Sequence, residues 1–83
     1  MPLIKVLLFA NLRTKAGEKE LRIDMDESAT VYDLLETIIG KYPILRPHIT
    51  EKIVISINHK IANRTDILPQ DAEVALLPPV GGG

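Results

Sequence analysis

The sequence predicts an α+β roll in which a mixed sheet of four to five strands packs on one main helix, and three observations carry that reading. Short apolar segments with strand-like alternation lie near both ends of the chain, a single stretch has helical spacing, and that stretch falls between the first two strands and the rest. One helical stripe covers one face of one sheet, which is a two-layer arrangement. At 83 residues the chain holds one compact domain and is too short for two. Nearly half the residues are apolar and a quarter are charged, the balance of an ordinary globular protein.

The first strand is predicted in Leu3 to Ala10, which is β-rich and almost continuously apolar, the pattern of a central strand covered on much of both faces. Asn11 to Glu18 is polar with one glycine and reads as a connection. In Glu20 to Met25, Leu21, Ile23 and Met25 alternate with charges, which marks a half-buried strand. Thr30 followed by Asp33 matches a capping box, and Val31, Leu34, Leu35, Ile38 and Ile39 fall on one helical face. Gly40 suits a left-handed C-terminal cap, and Pro43 prevents continuation soon after. Tyr42 to Lys52, with Pro43 and Pro47, reads as a loop with an irregular turn.

Ile53, Ile55 and Ile57 alternate with Val54 and Ser56 as a third strand, and Asn58-His59 offers a tight turn to a short return at Lys60 to Ala62. After a turn at Leu68 to Ala72, Glu73 to Leu77 forms the last strand, stopped by Pro78-Pro79. A crossover through the helix can set this last strand parallel to the first. The result is the ubiquitin-like β-grasp arrangement, which composition alone does not separate from other small α/β rolls.

The core has to be aliphatic, because Phe9, Tyr32 and Tyr42 are the only aromatic residues. Base-stacking platforms are nearly absent, and a net charge of -1 with interspersed signs shows no basic footprint, so nucleic acid is not an expected partner. Without cysteine there is no disulfide, no thiolate nucleophile and no thiolate metal site. The opening apolar run is too short to span a bilayer and lacks the features of a signal peptide, so no membrane association is expected and the cytoplasm is the expected compartment.

The most informative segment is Pro78-Pro79-Val80-Gly81-Gly82-Gly83. Prolines lack the N–H that sheet pairing uses and fix φ, so the chain is expected to leave the last strand in a stiff, outward direction. We therefore divide the chain into a domain at 1–79 and a reactive tail at 80–83. Val80 to Gly83 can extend about 13 Å, enough to enter a partner's pocket, and glycines pass a narrow channel where a side chain would clash. Ordering such a tail costs about 1 to 2 kcal/mol per residue, so a partner has to grip the globular body as well. A terminal carboxylate is an anion at neutral pH and a poor electrophile, so it needs activation as an acyl adenylate. No segment here resembles a phosphate-cradling loop, which assigns the ATP site to a partner.

Ile4 to Ala10 with Leu12-Arg13, Asn58 after the third strand, Asp71 to Ala75, and the closing Pro78-Pro79-Val80-Gly-Gly-Gly together resemble the MoaD and ThiS family of ubiquitin-like sulfur carriers. The similarity spans nearly the whole chain. It is nearer to MoaD, the small subunit of molybdopterin synthase, than to ThiS, the carrier of thiazole synthesis. The resemblance implies that an E1-like enzyme adenylates Gly83, that a persulfide donor sulfurates it, and that the thiocarboxylate enters the large subunit of molybdopterin synthase to give sulfur to the pterin dithiolene. Val80, Gly81 and Gly82 would form the rest of the tail. The family's apolar partner surface maps onto Phe9, Ile61 and Leu77, with Leu77 aliphatic where an aromatic is common. The chain is then a sulfur-donating subunit or cosubstrate without an active site of its own, binding no cofactor or metal and using ATP and a sulfur donor through partner enzymes.

Three other readings stay open: a ThiS-like sulfur carrier for thiazole synthesis, a protein modifier whose Gly83 joins target lysines, since an activated carboxyl also reacts with amines, and an adaptor whose tail is inert. Phe9, Ile61 and Leu77 equally suit packing in the core. Arg13 and Lys60 are candidates to meet acidic groups on a partner, against the ordinary reading of solvated surface charges. His48 and His59 are isolated and receive no role, and Asp24, Asp26 and Glu27 suit the approach to a helix N-terminus better than a metal.

Overall fold

A computed structural model describes residues 3–79. Along the chain run β1 (Leu3–Leu8), α1 (Ala10–Ala16), β2 (Glu20–Asp24), α2 (Val31–Lys41), a 3-10 helix (Pro43–His48), β3 (Val54–Ile57), β4 (Lys60–Ile61) and β5 (Glu73–Leu77). The strands form one five-stranded sheet in the order β2-β1-β5-β3-β4. β1 pairs antiparallel with β2 and parallel with β5, while β3 pairs antiparallel with both β5 and β4. First and last strands thus lie side by side at the centre, the β-grasp topology expected from the element order.

Among the described residues only one face of this sheet is covered. Ile4, Val6 and Leu8 from β1, Leu21 and Ile23 from β2, Ile55 from β3, and Val74 and Leu76 from β5 are all buried. They share one core with Val31, Leu34, Leu35 and Ile38 of α2. Fully burying one such side chain stabilises the fold by about 1.5 to 3 kcal/mol, so this stripe against the sheet dominates the folding energy. Among the described residues no polar or charged residue is buried.

The start of α2 is set by the expected capping box. The Thr30 N–H donates to Asp33 Oδ2 at 3.0 Å, and the Asp33 N–H donates to Thr30 Oγ1 at 3.2 Å. The end of α2 differs from expectation: Gly40 lies within the helix, which runs on to Lys41, and the Tyr42 N–H returns to the Ile38 carbonyl at 2.7 Å.

The left-handed glycine cap belongs instead to α1, in the stretch read from sequence as a polar connection. Gly17 has φ 75, and its N–H donates to the Arg13 carbonyl at 3.0 Å. Leu12 anchors this seven-residue helix with 0% exposure. The proline-rich segment after α2 winds into the 3-10 helix, which buries Leu45 and starts at Pro43, where a missing N–H costs nothing. Among the described residues no helix is long and apolar enough to cross a membrane.

Candidate functional site

The pairing registers define what the uncovered face presents. In β1 the side chains of Ile4, Val6 and Leu8 turn to the helices, which leaves Lys5 and Leu7 on the open side. Leu7 stands opposite Ala75, Ala75 opposite Ser56, and Ser56 opposite Ile61, so one row crosses β1, β5, β3 and β4. The neighbouring row toward the end of β5 holds Leu77 opposite Val54. Phe9 has extended backbone, φ -122 and ψ 154, and continues the alternation of β1 onto the same side as Leu7.

The three apolar residues singled out from sequence therefore share one surface rather than the core. Phe9 is 42% exposed and Ile61 77% exposed, while Leu77 is half-buried. Leu7, Val54 and Ala75 complete the patch, also half-buried. Their signal in the sequence was that Leu3 and Leu7 in β1, Val54 in β3, and Ala75 and Leu77 in β5 stand apolar at alternate positions where a solvated face carries polar residues. That pattern suggested a β1 covered on both faces; the structure instead places β1 centrally with one face bare, leaving Leu3 47% exposed.

Arg13 projects from α1 at the rim of this surface. With Leu7, Leu8, Phe9, Lys19 and Glu20 it lines an open depression. Among the described residues neither Arg13 nor Lys19 makes an ion pair.

Charge gathers toward the other end of the same face. Lys5 pairs in register with both Arg22 and Glu73, and its Nζ lies 3.8 Å from Glu73 Oε2. Arg22 Nε lies 3.1 Å from Glu20 Oε2, and His59 Nε2 lies 3.5 Å from Glu73 Oε1. These partly exposed pairs contribute little energy, on the order of 1 kcal/mol or less each. Their effect is compositional: the face is ionic near the start of β5 and apolar near its end. β5 runs from one half to the other and leads directly into Pro78 and Pro79.

Val80, Gly81, Gly82 and Gly83, the tail singled out from sequence, lie outside the described residues. The remaining polar candidates are scattered. His48 lies on the 3-10 helix, its Nδ1 at 3.3 Å from Asn11 Nδ2, far in sequence from His59 at the β3–β4 turn. Among the described residues no three His, Asp or Glu side chains converge to hold a metal ion.

Comparison with known proteins gives this surface a context. The sequence model of the ThiS family matches residues 6–83. The chain is similar to the molybdopterin synthase sulfur carrier subunit of Arabidopsis thaliana, 31% identical over 80 residues that cover 96% of this chain and 82% of the relative. It is also similar to small archaeal modifier protein 1 of Haloferax volcanii, 34% identical over 83 residues that cover 92% of this chain and 95% of the relative. The crystal structure of that archaeal protein superposes with a TM-score of 0.90 at 30% identity, covering 96% of this chain and 100% of the other.

Proposed function

The chain belongs to the ThiS family of ubiquitin-like carriers and modifiers, and from that premise we propose that it is the sulfur carrier subunit of a molybdopterin synthase, working in the cytoplasm through the carboxyl group of Gly83. The observation that carries the proposal is the continuity of the apolar open face with the strand that leads into Pro78-Pro79-Val80-Gly81-Gly82-Gly83. A partner that covers Phe9, Ile61 and Leu77 meets the start of the tail at the edge of its own contact.

Side chains of this domain have no part in the bond-making steps. A Gly83 carboxylate oxygen attacks the α-phosphorus of ATP on an E1-like enzyme and expels pyrophosphate, leaving an acyl adenylate. The terminal sulfur of a donor persulfide attacks the acyl carbon and expels AMP. A second thiol then cleaves the resulting S–S bond, forming a disulfide and leaving a thiocarboxylate at Gly83. In the large subunit of the synthase that sulfur passes to the pterin, and hydrolysis returns the carboxylate. What the domain supplies is docking energy, which offsets the ordering of the tail in each partner.

Phe9 provides the aromatic anchor, Ile61 and Leu77 the aliphatic remainder, and Arg13 a rim charge that favours an acidic counterpart. The similarity to the Arabidopsis subunit over nearly the whole chain supports the assignment. Reconstitution tests it: the thiocarboxylated chain with a large synthase subunit is expected to sulfurate the pterin precursor, and the chain lacking Gly82 and Gly83 is expected to be inactive. Sulfuration that survives removal of those glycines sinks the proposal.

A second reading is favoured by the 34% identity to small archaeal modifier protein 1. The same activated carboxyl attacked by a lysine amine gives an isopeptide, so the chain would serve as a protein modifier. Digested cell extracts decide the matter: peptides carrying the Gly83 remnant on lysine establish it, and their absence alongside detectable thiocarboxylate removes it.

A further inference from the structure

Ile61 is the open-face side chain with the weakest local support. It is 77% exposed and sits on β4, a strand of two residues at the edge of the sheet. So short a strand, paired on one side only, does not hold an outward side chain in one orientation by its own ladder. The preceding turn is Asn58-His59, with φ 50 and 71 at its two central residues, the left-handed pair a tight hairpin uses.

Asn58 reaches beyond its turn. Its N–H donates to the Glu73 carbonyl at 2.8 Å, and its side-chain Oδ1 accepts the Glu73 N–H at 2.9 Å. This reciprocal pair joins the tip of the hairpin to the first residue of β5. The Glu73 carboxylate meanwhile faces Lys5 on β1 and His59 on the turn itself. The hairpin tip is thereby fastened to the start of β5, at a residue that β1 also contacts through Lys5.

Building on the sulfur-carrier reading, we propose that Asn58 is a positioning residue, whose carboxamide holds the β3–β4 hairpin so that Ile61 stays aligned with Phe9 and Leu77 for partner docking. Without it β3 keeps its ladder to β5, but the turn loses its side-chain tie and β4 is left on its two-residue ladder to β3, so docking has to order Ile61 at the cost of conformational entropy. Gly83 is untouched by the change, so the effect falls on recognition and spares the chemical step.

Asn58→Gly is the decisive variant, because glycine keeps the left-handed backbone and removes only the carboxamide. Asn58→Asp restores the acceptor and also tolerates the turn. In the free protein, hydrogen exchange of the Glu73 N–H is expected to quicken about threefold to tenfold in Asn58→Gly, with lowered order at Lys60 and Ile61 in NMR relaxation, while core amides stay protected. With an E1-like enzyme, the KM for the carrier is expected to rise by about the same factor at unchanged kcat, and Asn58→Asp to return both readouts toward the parent. Parent-like exchange and KM in Asn58→Gly overturn the assignment, as does a fall in kcat at constant KM. If the parent chain is not adenylated at all, the sulfur-carrier reading fails, while the exchange measurement on the free protein still decides whether Asn58 holds the hairpin.

Discussion

Leu77 pairs with Val54 across the β3–β5 ladder, so the last residue of the last strand stands on the uncovered sheet face one position ahead of Pro78. The uncovered apolar face and the Pro78-Pro79 segment that precedes Val80 are therefore one continuous piece of polypeptide. In the proposed cycle this continuity converts docking into placement of the tail. Its consequences separate into effects on folding and effects on recognition.

Ile61→Asp should leave the fold intact and weaken docking. At 77% exposure the side chain contributes little to the core, so the denaturation midpoint should shift by no more than about 0.5 kcal/mol. Affinity for an E1-like enzyme should fall by about 1 to 2 kcal/mol, roughly tenfold, as for a central apolar contact replaced by a charge. Titration calorimetry beside urea unfolding reads both, and unchanged affinity would remove Ile61 from the interface.

Leu12→Ala should act in the opposite way. Leu12 is the fully buried side chain of α1, with Ala16 packed only partly against the same core, so its truncation should cost about 2 to 5 kcal/mol. A loss below about 1 kcal/mol in urea unfolding would mean that α1 is not packed as described.

Thr30→Ala removes one half of the capping box, the bond from the Asp33 N–H to Thr30 Oγ1. The expected loss is about 1 kcal/mol. Thr30→Ser should retain most of the stability, because serine presents the same oxygen. Equal losses in the two variants would show that the cap is not the source.

His59→Gly should stabilise the fold. His59 has φ 71, a backbone region that disfavours a side chain by about 1 to 2 kcal/mol, in a turn position where glycine is preferred. Glycine's own entropic cost and the loss of the exposed contact to Glu73 offset part of this, leaving a gain of about 0.5 to 1 kcal/mol. Thermal unfolding of the variant provides the check, and a lowered midpoint would mean that the His59–Glu73 contact outweighs the strain.

Much of the architecture was legible because two periodicities do not overlap. Leu21 and Ile23 alternate with charges, while Val31, Leu34, Leu35 and Ile38 recur at helical spacing behind Thr30 and Asp33, and each pattern has one physical explanation. α1 escaped notice because a seven-residue helix with a single buried anchor, Leu12, has no periodicity to show. Its one signal was Gly17, whereas Gly40, which looked like a cap, lies inside α2 because Lys41 continues the helix.

The open face was half legible. Phe9, Ile61 and Leu77 were singled out through family resemblance, and the registers of Ile61 and Leu77 with the extended backbone of Phe9 place them on one surface. Leu7, Val54 and Ala75 were not, because an apolar residue facing a second layer and one facing a docking partner read identically along a strand. Distinguishing them required knowing that no element among the described residues forms a second layer.

The most direct test is intact mass spectrometry of the chain after incubation with an active E1-like enzyme, ATP and a persulfide source. The account predicts a gain of about 16 Da, one oxygen replaced by sulfur, localised by fragmentation to Gly83. An unchanged mass with an enzyme that adenylates its own carrier in parallel, or a gain placed anywhere other than Gly83, would contradict it.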